Sequence, residues 1–203
     1  MSSFNLQGVN SLFVGQVHEL AEWFGFETRN KYRIRDSNQN LIGYAAEQQK
    51  GIFGFFLRQF LGHWRSFDVH FFTSDRQLVL VGHHPFRWYF ERIEVRDGKG
   101  KFLGAIQRRF SIFSKRFFVE DENGQTSMEV SSPIWRLWTF KFFRQGVQLA
   151  KIQKKWGGIF FEGFTDKDKF LVDFESTSLK ESEKQVLLVS AVFIDLLYFE
   201  TKN

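Results

Sequence analysis

The chain of 203 residues contains no cysteine. That excludes a disulfide framework, a thiolate zinc centre and a cysteine nucleophile, and it fits a reducing compartment. Proline is nearly as scarce, with only Pro85 and Pro133. No Pro-rich linker divides the chain, so one domain is the expectation. The first twenty residues lack a basic segment followed by a sustained apolar stretch, and position 2 is Ser2 rather than a glycine open to myristoylation. The chain is expected to remain in the cytoplasm.

Reactive motifs are missing as well. The five histidines include the adjacent His83 and His84, but no HExxH or Cys/His spacing accompanies them. Gly98-Lys99-Gly100 and Gly157-Gly158 lack the Walker spacing and the strand-to-helix context of a phosphate loop. No serine sits in a GxSxG elbow. Bond-making catalysis and nucleotide use are therefore not expected. A helix-turn-helix or RNP signature is absent too, which argues against nucleic acid as partner.

What is abundant is aromatic: 28 phenylalanines and 6 tryptophans. Such side chains bury large apolar areas and accumulate where a core or an interface needs filling. The balance of 28 Lys+Arg against 23 Asp+Glu leaves a net charge of +5, a modest attraction for anions. A domain of this length buries roughly 70% of its unfolded surface, enough to be stable without staples.

From Lys31 onward, short alternating apolar stretches are separated by polar turns. Tyr32 and Ile34 lead through Asp36 to Asn40 into Leu41, and Phe67, Val69 and Phe71 lead through Ser74-Asp75-Arg76 into Leu78. Ile93 and Val95 turn at Asp97 to Gly100; Phe117 and Val119 turn at Asp121 to Gly124; Phe140 and Phe142 turn at Gln145-Gly146. Consecutive hairpins of this kind predict a barrel or a sandwich. A weak repeat runs through Leu41-Ile42-Gly43, Phe102-Leu103-Gly104 and Gln148-Leu149-Ala150, the second strand of three of these hairpins. The expected organisation is a single domain over 1–203, with a lead-in over 1–30, strands over 31–176 and a helix over 178–200. Within the lead-in, the spacing of Val17, Leu20, Ala21 and Phe24 predicts a short helix from Gln16 to Phe26.

The C-terminal segment differs from everything before it. Ser178-Leu179-Lys180-Glu181 has the form of a capping box, and Val186 to Phe199 is apolar on nearly every face. Two readings compete, a membrane span or a helix buried inside the sheet. Val186 to Phe199 would be about 21 Å long, short of a hydrocarbon core of about 30 Å. Asp195 inside it would cost on the order of 3 kcal/mol at a bilayer centre. Both points favour a central helix lined by Val186, Leu187, Val189, Phe193, Asp195, Leu196 and Phe199.

Four ordered stretches resemble the phospholipid scramblase family. They are Gly25 to Tyr32 with Ala45-Ala46-Glu47, then Lys154-Lys155-Trp156-Gly157-Gly158, then Phe164-Thr165-Asp166-Lys167-Asp168-Lys169-Phe170, and finally Phe193 to Glu200. The family is similar in fold to the tubby C-terminal and LURP-one-related domains. The resemblance implies a closed antiparallel barrel of about twelve strands around a central hydrophobic C-terminal helix, an arrangement that also removes exposed sheet edges.

It also implies calcium-dependent, ATP-independent movement of phospholipids between leaflets, with a calcium loop before the last helix. The implied ligands fall on Asp166, Asp168, Phe170, Val172, Phe174 and Thr177. The set is thin in acidic groups, because an EF-hand-like loop closes on an acid where this chain has Thr177. The Pro-rich N-terminal region and cysteine clusters of many animal scramblases have no counterpart here, which removes thioester lipid anchoring. Where the clusters would fall, aromatic side chains mix with arginine. Arg58, Trp64, Arg65, Arg87, Trp88 and Arg109 are candidates for a face that docks on anionic lipid headgroups, giving peripheral membrane association. A non-transporting module that binds such headgroups is the alternative function.

Overall fold

A computed structural model of the chain describes residues 4–17, 30–48, 66–86, 91–110, 114–133, 138–156 and 168–198. The strands are β1 (Ser11–Gln16), β2 (Lys31–Asp36), β3 (Leu41–Gln48), β4 (Phe67–Thr73), β5 (Leu78–His84) and β6 (Arg92–Asp97). They continue with β7 (Phe102–Arg109), β8 (Ser114–Glu120), β9 (Thr126–Pro133), β10 (Thr139–Arg144), β11 (Val147–Trp156) and β12 (Asp168–Phe174). Each pairs with its neighbour in sequence, and β1 pairs antiparallel with β12, closing a twelve-strand barrel. One helix is described, α1 (Glu181–Tyr198).

Four of the hairpin turns share one design. Asp36, Asp97 and Asp121 each accept two backbone hydrogen bonds on Oδ1, from the residues two and four positions on, at 2.8 to 3.0 Å. Thr73 Oγ1 accepts from Gln77 N at 3.1 Å in the corresponding place. In each turn the residue three positions after the cap has a positive φ, carried by Gln39, Arg76, Gly100 and Gly124. This is a type I turn closed by a left-handed residue, and the register shifts by one just inside all four hairpins. The β10–β11 connection instead places positive φ at both Gln145 and Gly146, as a two-residue type I′ turn requires.

The weak repeat marks where strands crowd. Gly43 and Gly104 follow the shifted register of their hairpins, and a Cβ built there would lie 2.1 Å from the Phe72 carbonyl oxygen or 2.4 Å from that of Glu120. Only glycine permits that approach, the more so at Gly104, whose φ is +151°.

Inward positions alternate along the strands, as in Phe67, Val69 and Phe71 or Phe140 and Phe142. They enclose α1, in which every residue from Glu183 to Leu197 is buried. A helix buried on all faces needs walls on all sides, and α1 has them. Val189 lies against Gly82 in β5 and Val186 against Gly104 in β7. Phe193 meets His84, and Tyr198 meets Phe117 in β8 and Phe140 in β10. The central-helix expectation thus holds for Val186, Leu187, Val189, Phe193, Asp195 and Leu196; Phe199 lies outside the described residues.

Two boundaries differ from expectation. The barrel opens before Lys31, with β1, and Val17 N continues its ladder by donating to Lys31 O at 2.8 Å. Gln16 and Val17 thus belong to this strand ladder, and the rest of the helix expected from Gln16 to Phe26 lies outside the described residues. The alternation of Leu12 and Val14 is hidden in sequence because Phe13 between them is apolar too. The helix cap is shifted as well. Glu183, not Glu181, reaches back to accept from Lys180 N, at 3.0 Å, while Glu181 Oε1 accepts from Leu6 N at 2.7 Å. Arg144 also pairs with Glu183.

Candidate functional site

The two ends of the barrel are chemically unlike. The five tight turns share a rim with the N-terminus of α1, and their polar residues include no aromatic from Asp36 to Asn40, Thr73 to Gln77, Asp97 to Lys101, Asp121 to Gln125 or Arg144 to Val147. The opposite rim holds the C-terminus of α1 and the strand ends that bound residues 17–30, 49–66, 85–91, 110–113, 134–138 and 157–167. All six tryptophans fall in sequence at or between strand ends of this second rim: Trp23, Trp64, Trp88, Trp135, Trp138 and Trp156. In sequence, the segments 49–65, 87–90, 111–113 and 134–137 contain Lys50, Arg58, Arg65, Arg87 and Arg136 and no acidic residue, whereas 18–29 and 157–167 carry Glu19, Glu22, Glu27, Glu162 and Asp166.

Phe110, at the end of β7, is 74% exposed, and Phe86, just past β5, is 44% exposed. Leu41, Leu78 and Val147 are exposed at the turn rim, but each is an aliphatic residue directly following a turn. Arg109 and Arg116 stand directly opposite each other across β7 and β8, and the Arg109 guanidinium lies 5.3 Å from the centre of the Phe118 ring.

Arg92, Arg96 and Arg108 of β6 and β7, by contrast, are paired. Arg92 donates to both Glu120 carboxylate oxygens, at 2.8 and 2.7 Å, and to Glu94. Its pKa is raised, chiefly by the hydrogen bond to Glu120 and against the effect of burial. Burial alone would raise the Glu94 carboxyl, yet hydrogen bonds and charge from Arg92 and Arg96 together hold it below the usual range. Arg108 pairs with Glu91 at 3.2 Å and lies over the Tyr198 ring. Burial pushes the Tyr198 hydroxyl up to about 12, although Arg108 opposes this.

Just inside the same rim lies a polar cluster. Asp195 is 2% exposed; it accepts from the Tyr32 hydroxyl at 2.9 Å and faces the Lys154 ammonium at 3.9 Å. Lys154 also lies over the rings of Phe170 and Trp138. Beside it, Asn30 donates to Glu47 at 2.7 Å, and both are buried. A furrow of about 650 Å³ runs along the outside of β10 and β11 past Trp138, Lys141 and Lys151. There Asp173 and Glu175 pair with Lys151, so its charge is locally balanced.

Of the expected lipid-contacting residues, Arg109 is on the aromatic rim; Arg58, Trp64, Arg65, Arg87 and Trp88 lie outside the described residues. Sequence reasoning passed over Arg116 and Phe110, although Arg108-Arg109-Phe110 and Arg116-Phe117-Phe118 carry the same mixture of arginine and aromatic.

Of the expected calcium ligands, the described ones are not gathered into a loop. Asp166 lies outside the described residues, and Asp168 begins β12. Phe170, Val172 and Phe174 point their side chains into the core, and Thr177 is exposed beyond the strand. Phe174 N donates to Asn10 O, and by strand alternation the main-chain groups of Phe170 and Val172 also face β1, opposite Val14 and Leu12. Their oxygens are engaged in a sheet ladder, whereas calcium asks for six to eight convergent ones. The described residues therefore do not fit a loop chelate, and no cluster of three or more His, Asp or Glu positioned for a metal occurs among them.

Comparison with known proteins follows the barrel and helix closely. Human phospholipid scramblase 1 is 26% identical over 211 residues, covering 97% of this chain and 65% of that protein. Human phospholipid scramblase family member 5 is 24% identical over 199 residues, covering 91% and 72%. Phospholipid scramblase 2 of Bos taurus is 26% identical over 210 residues, covering 96% and 70%. The chain thus spans roughly two thirds of the length of these relatives. The sequence profile described as Scramblase matches residues 4–201, which takes in the whole barrel and its helix, and the chain belongs to that family.

Proposed function

We propose that this protein moves phospholipids between the leaflets of a membrane, without ATP and without making or breaking bonds, while attached peripherally to the cytoplasmic surface. Membership of the Scramblase family carries the reading. The described part of the rim opposite the tight turns supports it, because Phe110 is exposed there beside Arg109, and phenylalanine rings with interspersed arginines are suited to headgroup depth.

Among the described residues, no helix is long and apolar enough to cross a membrane. The outer face of the sheet carries Glu94, Lys141 and Lys151 at mid-strand, with Arg92 and Glu120 at strand ends, unlike the apolar band of a spanning barrel. Lipid movement then proceeds by local disturbance of the bilayer under the rim rather than along a protein-lined path. Stimulation by calcium, which the resemblance implies, requires donors other than the β12 carbonyls.

The test is reconstitution in vesicles containing a fluorescent lipid. Protein-containing vesicles are expected to expose inner-leaflet probe to dithionite; reduction of the outer-leaflet probe alone, as in protein-free vesicles, rejects the proposal. The enclosed helix favours a second reading, a module that binds anionic headgroups without transport. Flotation with acidic vesicles, lost at high salt and unaccompanied by lipid exchange, selects that reading.

A further inference from the structure

Most outward arginines of β6 to β8 have carboxylate partners, as Arg92, Arg96 and Arg108 do. Arg109 and Arg116 do not: neither makes an ion pair among the described residues, and they face each other directly across the strand pair. Like charges placed so are destabilising. The adjoining residue, Phe110, is the most exposed of the large apolar side chains described, at 74%. A cationic pair without a counter-ion and a bare phenyl ring are both unfavourable in water, and one partner relieves both at once.

We propose that Arg109 and Arg116 clamp a phosphate of an anionic phospholipid bilayer while Phe110 enters the headgroup layer beside them, so that the barrel docks end-on with the C-terminus of α1 toward the membrane. Arginine forks match phosphate oxygens in pairs, and each basic group near an anionic surface strengthens binding roughly fivefold. The Phe118 ring beneath Arg109 supports that guanidinium from the side opposite its ligand. This inference rests on the reading of the chain as a phospholipid-handling protein and names the surface that does the handling.

The absence of cysteine makes a clean test available. Phe110→Cys and Asn123→Cys place single environment-sensitive fluorophores on opposite rims. With phosphatidylcholine vesicles containing phosphatidylserine, the label at 110 is expected to shift to the blue and be quenched by nitroxide-labelled lipid, and the label at 123 to remain unchanged. The pair Arg109→Gln and Arg116→Gln together should weaken binding to these vesicles by about tenfold or more without lowering Tm, since repulsion is removed. Phe110→Ser should weaken it by roughly tenfold.

Vesicle binding with quenching at 123, with neither label responding, or with affinity indifferent to the arginines overturns this orientation and leaves the proposed function standing. Failure of the unmodified protein to bind or scramble any vesicle overturns both. A change in the label at 110 produced by inorganic phosphate in the absence of lipid, equal to that produced by vesicles, also counts against a bilayer as the partner.

Discussion

The Lys154 ammonium lies 3.9 Å from the Asp195 carboxylate in the interior of the barrel, tying β11 to the last turns of α1, with the Tyr32 hydroxyl of β2 on the same carboxylate. Removing one side of a buried pair strands the other, so Asp195→Ala should destabilise the protein by about 3–5 kcal/mol. Replacing both charges, as Lys154→Met with Asp195→Leu, should recover most of that loss. Urea unfolding measures it; equal costs for the single and double replacements would show that the pair does not act as a unit.

Gly82 tests the enclosure of the helix directly. A Cβ there would sit 2.8 Å from Val189 Cγ1 and 2.9 Å from Ile93 Cδ1. Gly82→Ala should cost about 1–3 kcal/mol by overpacking, and Val189→Ala in the same molecule should relieve part of it. Strictly additive effects in a double-mutant cycle would contradict the contact between β5 and α1.

Tyr198 should limit stability in alkali. Its hydroxyl titrates at about 12 in the folded state against 10.0 ordinarily, because burial disfavours the phenolate. The folded form thus holds its proton longer than the unfolded one. Stability is intact below pH 10.0 and falls as pH rises toward about 12, by roughly 2–3 kcal/mol in all. Tyr198→Phe should flatten that decline after allowance for lysine and the other tyrosines, and absorbance of tyrosinate at alkaline pH gives an independent reading.

Gln145 occupies a left-handed position, φ +50°, next to Gly146. Asparagine tolerates that conformation better, so Gln145→Asn should stabilise by about 0.5–1 kcal/mol and raise Tm by roughly 1–4 °C. An unchanged or lower Tm would mean that the turn is not strained at this residue.

The hairpins were readable because their turns carry the chemistry that makes them: an Asp or Thr cap, a positive-φ residue three positions on, and alternating apolar strands on either side. The helix was readable from its uniform apolarity and its length. β1 was not, because Phe13 fills the gap between Leu12 and Val14 and erases the alternation. The capping pattern was displaced for a related reason: Glu181 and Glu183 are both acidic, and only the packing of Leu6 and Arg144 decides which caps the helix. At the rim, the aromatic and basic composition was visible, but the confrontation of Arg109 with Arg116 depends on the β7–β8 register, which no local pattern states. Of the calcium positions, Phe170, Val172 and Phe174 alternate as a strand, and that alternation is as evident in the sequence as the acidic residues around it.

The segment that fills the barrel follows all twelve strands in the chain. During synthesis, each hairpin can form as its turn emerges, but the sheet has nothing to close around until α1 has left the ribosome, and β1 must wait for β12 to arrive. Until then the strands carry an unfilled apolar trough. Such a chain depends on chaperones more than a helical bundle of equal size would, and loss of its final turns would leave an aggregation-prone sheet rather than a shortened but working protein.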